Sequence, residues 1–367
     1  MTDSTGTARA TTPRGLPAPP PAGTTALPQG TYRGSLVLVT GGGTGLGKAV
    51  AAEFARLGAD VVIVSRRAAH LEPALGELAR VSRDGGTVTA AVCDIRDPDR
   101  IAEVFDATET AHGRTPDVLV NNAAANFPVP AEDMSPNAWR TVVDITLNGT
   151  FYMTREFGRR HLAAGTPGSV IAVGASYAWT GGPGFAHSAA AKAGVKNLVE
   201  TLAVEWGPYG IQVNGLVPGL MPHEDMTGDI RANLSLEAGH AEHDARQPAL
   251  RVGAPRELGW AATFLASPYA RFISGHTLVV DGANWQRRGL VSPPVVTVRE
   301  QMGRGPFWRD RDGRPSSRLH SPPEPGFPRR PFFRASPPSR PRPASRAGST
   351  SRRTGARADP PSPCTPP

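Results

Sequence analysis

The sequence is poor in cysteine: only two of its 367 residues are cysteines, Cys93 and Cys364. Two cysteines cannot form a disulfide framework, and their spacing does not match a zinc site. The sequence also lacks any apolar run near the roughly 18 residues that a membrane-spanning helix needs. Its first 30 residues have no apolar core of a secretory signal, and their prolines disfavour an amphipathic transit helix. These absences favour a soluble protein of a reducing compartment. We expect it to be cytoplasmic, with no membrane partner and no metal.

Both ends of the sequence differ in composition from its centre. Residues 291–367 contain no lysine and few aliphatic residues, but 15 arginines, 18 prolines and 5 acidic residues. Such a segment cannot bury enough apolar surface to offset its ordering entropy, and residues 1–30 are rich in Thr, Pro and Ala. We therefore predict a disordered segment over 1–30, a globular domain over 31–290 and a disordered Arg/Pro/Ser-rich tail over 291–367. The tail accounts for the net charge of +8. Arginines can bind nucleic acid or anionic surfaces, but incidental charge is the simpler interpretation, and we expect no specific nucleic-acid partner.

Short apolar runs alternate with amphipathic helical stretches through the central domain. Runs that are aliphatic throughout are typical of strands buried on both faces. Strand–helix alternation predicts an α/β fold, a single Rossmann-type doubly wound parallel sheet with helices on both faces. The predicted strands are residues 35–40, 60–65, 87–92, 117–122, 168–175, 211–218 and 276–282.

A glycine-rich segment, TGGGTGLG at residues 40–47, joins the first predicted strand to the first predicted helix. The backbone there must turn tightly and allow a pyrophosphate to approach the N-terminus of the helix, and glycine permits both. Its position between a strand and a helix makes a dinucleotide site a better interpretation than a structural turn. The residues expected to contact the cofactor are Gly41, Thr44, Gly45, Leu46 and Gly47.

The residues after the second predicted strand indicate which cofactor binds. In such folds an acidic side chain at this place would accept a hydrogen bond from a free ribose 2′-OH. Here stand Ser65, Arg66 and Arg67, which suit a 2′-phosphate instead. We therefore expect NADP(H) rather than NAD(H). The alternative is that the two arginines are simply solvated surface charges.

Polar residues also follow the third and fourth predicted strands. Asp94 is placed to contact the adenine, and Asn121 and Asn122 end the fourth strand beside the cofactor cleft. We expect Asp94 and Asn122 to be cofactor-binding residues. Asn and Asp also stabilise turns, so a purely structural role is the alternative for each.

Taken together, the motifs resemble the short-chain dehydrogenase/reductase family. TGGGTGLG, the NNAA segment at 121–124, the helix that carries Lys192, Pro218–Gly219 and VVDG at 279–282 occur in that family's order. The resemblance covers about residues 31–288. It implies that Lys192, Pro218 and Gly219 also contact the cofactor, and that the chain forms a homotetramer.

The sequence lacks the catalytic tyrosine that most members of this family place four residues before the lysine. Ser188 stands at that position, Ala175 falls near the usual serine position, and Thr146 replaces the usual asparagine. Ordinary ketone–alcohol chemistry needs a phenolic acid beside the carbonyl. That chemistry is therefore not expected here.

One subfamily shows the same departures. The sequence resembles the NADPH-dependent 2,4-dienoyl-CoA reductases of the mitochondrial type, through VNNAAANF, MSPNAWRTVVDITLNGT and YAWTGGPGFAHSAAAKAGV. The resemblance implies four catalytic residues, Tyr177, Asn126, Ser188 and Lys192. It also implies an acyl-CoA thioester substrate that is reduced to a 3-enoyl-CoA during β-oxidation of unsaturated fatty acids.

Several residues depart from this subfamily. Trp179 stands where an acidic residue is common, Ala125 replaces a glycine, and His187 replaces an apolar residue or proline. His187 is either a second proton donor or incidental. The segment 220–250, expected to cover the acyl chain, also differs. The alternatives are another NADP(H)-dependent oxidoreductase, acting on a different carbonyl or enoyl substrate, and a non-catalytic NADP-binding protein.

Overall fold

The computed structural model describes residues 15–224, 226, 241–287 and 296–303. The chain divides into two compact units, Met1–Phe307 and Trp308–Pro367. Every described residue lies in the first unit.

Seven parallel strands form one sheet in the order β3–β2–β1–β4–β5–β6–β7. The order of the strands reverses between β1 and β4, and ligands of such sheets bind in the crevice outside that point. The doubly wound parallel sheet that the sequence predicts is therefore confirmed. The strands are β1 Leu36–Thr40, β2 Asp60–Ser65, β3 Val88–Val92, β4 Val118–Asn121, β5 Gly168–Val173, β6 Ile211–Pro218 and β7 Thr277–Val280.

Helices connect the strands and cover both faces of the sheet. Helix α3 begins at an Asp97 cap whose carboxylate accepts from the N–H groups of Asp99 and Arg100, and it ends at the left-handed Gly113. A π-helical turn, Asp144–Asn148, separates α4 from α5. The described helices are α1 Gly45–Arg56, α2 Ala68–Val81, α3 Pro98–His112, α4 Pro136–Val143, α5 Gly149–Ala164, α6 Tyr177–Thr180, α7 Ala186–Trp206, α8 Ala241–Arg246, α9 Pro255–Leu265 and α10 Val298–Gln301.

The apolar core has two layers, one on each face of the sheet. Successive residues of a strand point to opposite faces, so Val37 packs with Phe54 of α1 in one layer, while Leu38 packs in the other. The second layer contains side chains of α3, α5 and α7. The fully aliphatic strands are thus covered on both sides, and their carboxyl ends together form one edge of the sheet.

Residues 15–30, which belong to the N-terminal segment predicted from composition, lie along the surface of the domain. The N–H of Leu16 donates to the Ala249 carbonyl at 2.9 Å, and the Trp260 indole donates to the Thr24 carbonyl at 3.0 Å. Leu27 packs against the first core layer. The domain thus supplies hydrogen-bond partners to the backbone of this proline-rich segment, which has few N–H groups of its own. The expectation for residues 1–14 lies outside the described residues.

The predicted tail is described only at residues 296–303. There Thr297 caps the short helix α10, and Arg299 pairs with the carboxylates of Glu132 and Asp133 at 3.4 and 3.2 Å. The rest of the expectation for 291–367 lies outside the described residues. None of the helices in the described ranges is long and apolar enough to cross a membrane.

Candidate active site

A cleft of about 470 Å³ opens at the carboxyl edge of the sheet, beside the reversal between β1 and β4. Its lining includes most residues that the sequence predicts to bind the cofactor: Gly41, Thr44, Gly45, Leu46, Ser65, Arg66, Arg67 and Asn122. The cleft is also lined by His70, Cys93, Ile95 and His223, which sequence reasoning missed. The missed residues carry no cofactor motif, so only the fold brings them to the cleft.

The glycines of this loop have no space for a side chain. A Cβ on Gly47 would lie 2.2 Å from the Gly41 carbonyl oxygen, and Gly41 itself has φ +64°. Asn122 fastens this loop to the end of β4, since its Nδ2 donates to the carbonyls of Thr40 and Gly41 at 3.1 and 3.3 Å. A close-packed loop at the N-terminus of α1 fits the pyrophosphate of a dinucleotide.

Two exposed arginines stand at the end of the cleft that follows β2. Arg66 and Arg67 make no ion pair with the residues that the structure describes, and Ser65 lies beside them, its Oγ accepting from the Arg67 N–H at 3.4 Å. Two guanidinium groups and a hydroxyl are an appropriate set of donors for a phosphate. The residues present thus fit a dinucleotide that carries a 2′-phosphate.

The Asp94 carboxylate binds a nearby arginine and does not line the cofactor cleft. It forms a bidentate ion pair with Arg96, with Oδ2 2.5 Å from Nη2. This bonding holds the pKa of the Asp94 carboxyl below its usual range. The neighbours Cys93 and Ile95 line the cleft, whereas Asp94 does not. The arginine two residues later competes for this carboxylate, and the strand-end pattern alone gave no sign of it.

Pro218 ends β6 at the same edge of the sheet, next to β7, and Gly219 follows it. They do not line the cofactor cleft. Gly219 instead borders a separate cavity of about 210 Å³ together with Leu16 and Arg251. Of the segment 220–250, residues 220–224, 226 and 241–250 are described, and they include α8. The expectation that this segment covers the substrate falls largely outside the described residues.

Three of the four predicted catalytic residues meet in one hydrogen-bonded chain. The Tyr177 hydroxyl lies 2.9 Å from the Ser188 hydroxyl, and the Asn126 amide donates to the Tyr177 oxygen at 3.4 Å. Tyr177 begins α6 just after β5, Ser188 lies in the first turn of α7, and Asn126 follows β4. The connections that follow two neighbouring strands, β4 and β5, thus supply one polar cluster.

Lys192 lies one helical turn beyond Ser188 and is 6% exposed. Its Nζ donates to the Val173 carbonyl at the end of β5, at 2.5 Å. Burial lowers the pKa of Lys192 to about 8, so the ammonium form still predominates at neutral pH. Burial also raises the pKa of Tyr177, and the hydrogen bond with Ser188 opposes that rise. The phenol is therefore neutral at pH 7 and can donate a hydrogen bond.

His187 is fully buried beside this cluster, with its ring 4.7 Å from that of Phe127 in an edge-to-face contact. Its Nδ1 accepts from the Ser188 N–H at 2.7 Å. Burial lowers the pKa of the imidazole, and a hydrogen bond with the Phe185 backbone opposes that fall. The other ring nitrogen, Nε2, has no hydrogen-bond partner among the described residues.

A parallel sheet with a glycine loop at its reversal, a buried lysine and a hydroxyl cluster define a dinucleotide-dependent oxidoreductase fold. Residues 41–283 match the family model described as enoyl-(acyl carrier protein) reductase. The chain belongs to the short-chain dehydrogenase/reductase family. The resemblance to this family that the sequence motifs indicate is confirmed.

Curated relatives extend the comparison to particular proteins. An uncharacterized oxidoreductase of Caenorhabditis elegans is 42% identical over 70% of this chain and 81% of that protein. A protein of the same organism named as a probable 2,4-dienoyl-CoA reductase, (3E)-enoyl-CoA-producing, is 39% identical over 70% of this chain and 82% of its own length. A probable 2,4-dienoyl-CoA reductase of Bacillus subtilis, named as (2E)-enoyl-CoA-producing, is 38% identical and matches 68% of this chain and 96% of that protein.

Solved structures share the fold. A candidate 2-deoxy-D-gluconate 3-dehydrogenase from Agrobacterium tumefaciens, solved with bound NADP, is 33% identical, with a TM-score of 0.62 over 70% of this chain and 99% of that one. This similarity supports a nicotinamide cofactor for the family fold.

Proposed function

We propose that the protein is an NADPH-dependent reductase of 2,4-dienoyl-CoA thioesters. The single observation that carries the proposal is the hydrogen-bonded set Asn126–Tyr177–Ser188, in which the phenol comes from the segment after β5 and not from the lysine helix. Relatives named as 2,4-dienoyl-CoA reductases at 38–39% identity support the same substrate class.

Arg66 and Arg67 support NADP(H) over NAD(H). Their guanidinium groups stand at the end of the cleft where the adenosine ribose of a dinucleotide would lie. A free 2′-OH would call for a carboxylate there, whereas a 2′-phosphate gains charge-assisted hydrogen bonds from the arginines. When bound, the reduced cofactor supplies a hydride to C5 of the dienoyl group.

Tyr177 and Asn126 act on the charge that this addition creates. Electrons displaced along the conjugated system reach the distant thioester oxygen, which becomes negative. The Tyr177 O–H and the Asn126 N–H form an oxyanion hole for that oxygen, and each such donor contributes roughly 100- to 1000-fold in rate. The 3.4 Å between the two groups lets both face one acceptor. The dienolate is then protonated at C2 by water, which gives the 3-enoyl product.

Ser188 and Lys192 support this chemistry without donating the proton. A serine hydroxyl has too high a pKa to be the acid near neutral pH, so Ser188 orients the Tyr177 hydroxyl through their 2.9 Å hydrogen bond. Lys192 holds the nicotinamide ribose, and its positive charge favours the developing anion.

The test is an assay of NADPH oxidation against a 2,4-dienoyl-CoA, a 2-enoyl-CoA and a simple ketone, with NMR of the product. We expect turnover with the dienoyl-CoA alone and a double bond between C3 and C4. A double bond between C2 and C3 would keep the substrate class but contradict protonation at C2. Turnover of only the ketone or the enoyl-CoA would contradict the proposal and favour the wider class of NADP(H)-dependent short-chain oxidoreductases. A role in fatty acid β-oxidation and a cytoplasmic location remain predictions.

A further inference from the structure

Threonine hydroxyls hold the segment after β4 that carries both Asn122 and Asn126. The N–H groups of Asn122 and Ala123 donate to the Thr40 hydroxyl at 3.0 and 3.1 Å. Further along the segment, the Ala125 N–H donates to the Thr146 Oγ1 at 3.3 Å. The same hydroxyl donates back to the Ala125 carbonyl at 3.4 Å. One side chain thus satisfies both backbone groups of the residue before Asn126.

The local structure fixes the position of Thr146. It is fully buried and lies in the π-helical turn Asp144–Asn148, which widens the helix between α4 and α5. The next residue, Leu147, packs so closely on α7 that a Cβ on Gly194 would lie 3.0 Å from its Cδ atoms. π-Helical turns are rare and frequently mark functional sites. The Thr146 hydroxyl therefore lies on a turn that packs closely against α7.

Asn126, in contrast, is exposed and has little backbone support of its own. No backbone N–H between Ala125 and Val129 donates to another backbone group in the described structure. The Val129 N–H donates to the Gly184 carbonyl at 2.8 Å. The Asn126 amide already lies 3.4 Å from the Tyr177 oxygen, near the limit of a hydrogen bond. A small displacement of Ala125 would separate the two donors.

We propose that Thr146 is a positioning residue, which holds Asn126 beside Tyr177 by fixing the backbone of Ala125; this inference rests on the proposed roles of Asn126 and Tyr177. Thr146 stands where most family members carry the asparagine of their active site. In this chain the hydroxyl at that position bonds the backbone of Ala125, the residue before Asn126. Misplacing a catalytic group by about 1 Å can cost about 100-fold in rate.

The experiment compares Thr146→Val, which keeps the shape and removes the hydroxyl, with Thr146→Ser, which keeps the hydroxyl. Thr108→Val is the matched control, because Thr108 is also a buried helical threonine, and within the described structure its hydroxyl bonds only the Val104 carbonyl. We expect Thr146→Val to lower kcat on a dienoyl-CoA by about 10- to 100-fold. NADPH affinity should stay within about twofold. Thr146→Ser should stay within about threefold of the parent, and Thr108→Val should not change kcat.

A double-mutant cycle separates positioning from a general structural effect. In a protein that already carries Asn126→Ala, adding Thr146→Val should lower kcat by less than about twofold. The amide that Thr146 positions is already absent there. An equal cost in both backgrounds would overturn the proposal. So would an unchanged kcat in Thr146→Val alone.

Hydrogen exchange tests the inference even if the protein does not reduce a dienoyl-CoA. The Ala125 amide should exchange about tenfold faster in Thr146→Val, as expected for the loss of one hydrogen bond. It should exchange at the parental rate in Thr146→Ser and Thr108→Val. An Ala125 amide that is equally protected in Thr146→Val would contradict the positioning role, whereas inactivity of the parent protein on dienoyl-CoA would contradict only the proposed function.

Discussion

The hydroxyl of Tyr177 lies 2.9 Å from the hydroxyl of Ser188, which stands one helical turn before Lys192. The phenol starts from the segment after β5, yet its oxygen contacts the helix position at which most members of the family carry their tyrosine. Moving the phenol in this way brings it within 3.4 Å of the Asn126 amide. Two donors can then share one acceptor, which fits the proposed stabilisation of a thioester oxygen that becomes negative.

The preference for NADP(H) should depend on Arg66 and Arg67. Replacing both with alanine removes two cations from the end of the cleft, and hydrogen bonds to charged groups contribute about 1.5–3 kcal/mol each. We expect the ratio of Kd values for NADH and NADPH to fall by at least about tenfold in the double variant, measured by fluorescence titration. Arg83→Ala is the control, because Arg83 is exposed and its guanidinium, in the part of the chain that the structure describes, bonds only the carbonyls of Arg80 and Ser82. A double variant that still discriminates like the parent would show that other groups recognise the 2′-phosphate.

Catalysis should weaken as the pH rises through the pKa of Lys192. Burial lowers that pKa to about 8, so the residue loses its charge between neutral pH and pH 9. Because kcat/KM reports groups of the free enzyme, we expect kcat/KM for NADPH to decline above about pH 8. In Lys192→Arg the decline should move to higher pH, since a guanidinium keeps its charge. A parental profile that stays flat to pH 9.5 would argue against a need for this charge.

The lowered pKa of Lys192 should make the free energy of unfolding change with pH in the opposite direction to catalysis. The pKa of lysine is about 10.4 in an unfolded chain and about 8 for Lys192 in the folded protein. Between these values the unfolded chain binds more protons at this residue, so the free energy of unfolding should rise with pH. Urea titrations of the parent and of Lys192→Met should diverge in the parent's favour from pH 8 to pH 10. Parallel curves would mean that the pKa of Lys192 is not lowered.

We expect the chain to form a homotetramer through helices that include α5, as the family resemblance implies. Two apolar side chains of α5, Phe151 and Leu162, are 40% and 38% exposed, and burying them would favour association. Sedimentation at micromolar concentration should show tetramers for the parent and smaller species for Phe151→Glu. Val92→Glu, on the edge strand β3, should remain tetrameric. A monomeric parent protein would contradict this prediction.

Much of the fold could be predicted from the sequence, because the patterns that indicate the strands and the glycine loop each lie within a short segment. Aliphatic runs predicted the strands, and the glycine loop between a strand and a helix predicted where the cleft opens. The Asn126, Tyr177 and Ser188 cluster followed from spacing and resemblance, since strand ends of a parallel sheet share one edge. Residues 15–30 could not be predicted in this way. Their proline-rich backbone is held by hydrogen bonds from side chains more than 200 positions away, such as Trp260.

The finer features of the site depend on backbone conformation, whether the residues in contact are near or far apart in the sequence. The ion pair of Asp94 with Arg96, the Nδ1 hydrogen bond of His187 and the two hydrogen bonds between Thr146 and Ala125 all require a particular backbone geometry. Local spacing carries no record of such geometry. The π-helical turn is likewise hidden, because its residues read as an ordinary continuation of the helix.

Replacing Tyr177 with phenylalanine tests the central claim most directly, because it removes one hydroxyl and little volume. NADPH binding should survive, since the glycine loop and Lys192 are unchanged, while kcat on a dienoyl-CoA should fall by roughly 100- to 1000-fold. Asn126→Ala should act similarly, and the double variant should lose less than the product of the two, because both groups serve one oxygen. Ser188→Ala should cost much less, since its hydroxyl is not the acid. If Ser188→Ala instead abolishes turnover and Tyr177→Phe leaves it intact, the reactive group belongs to α7 and the account given for Tyr177 is wrong.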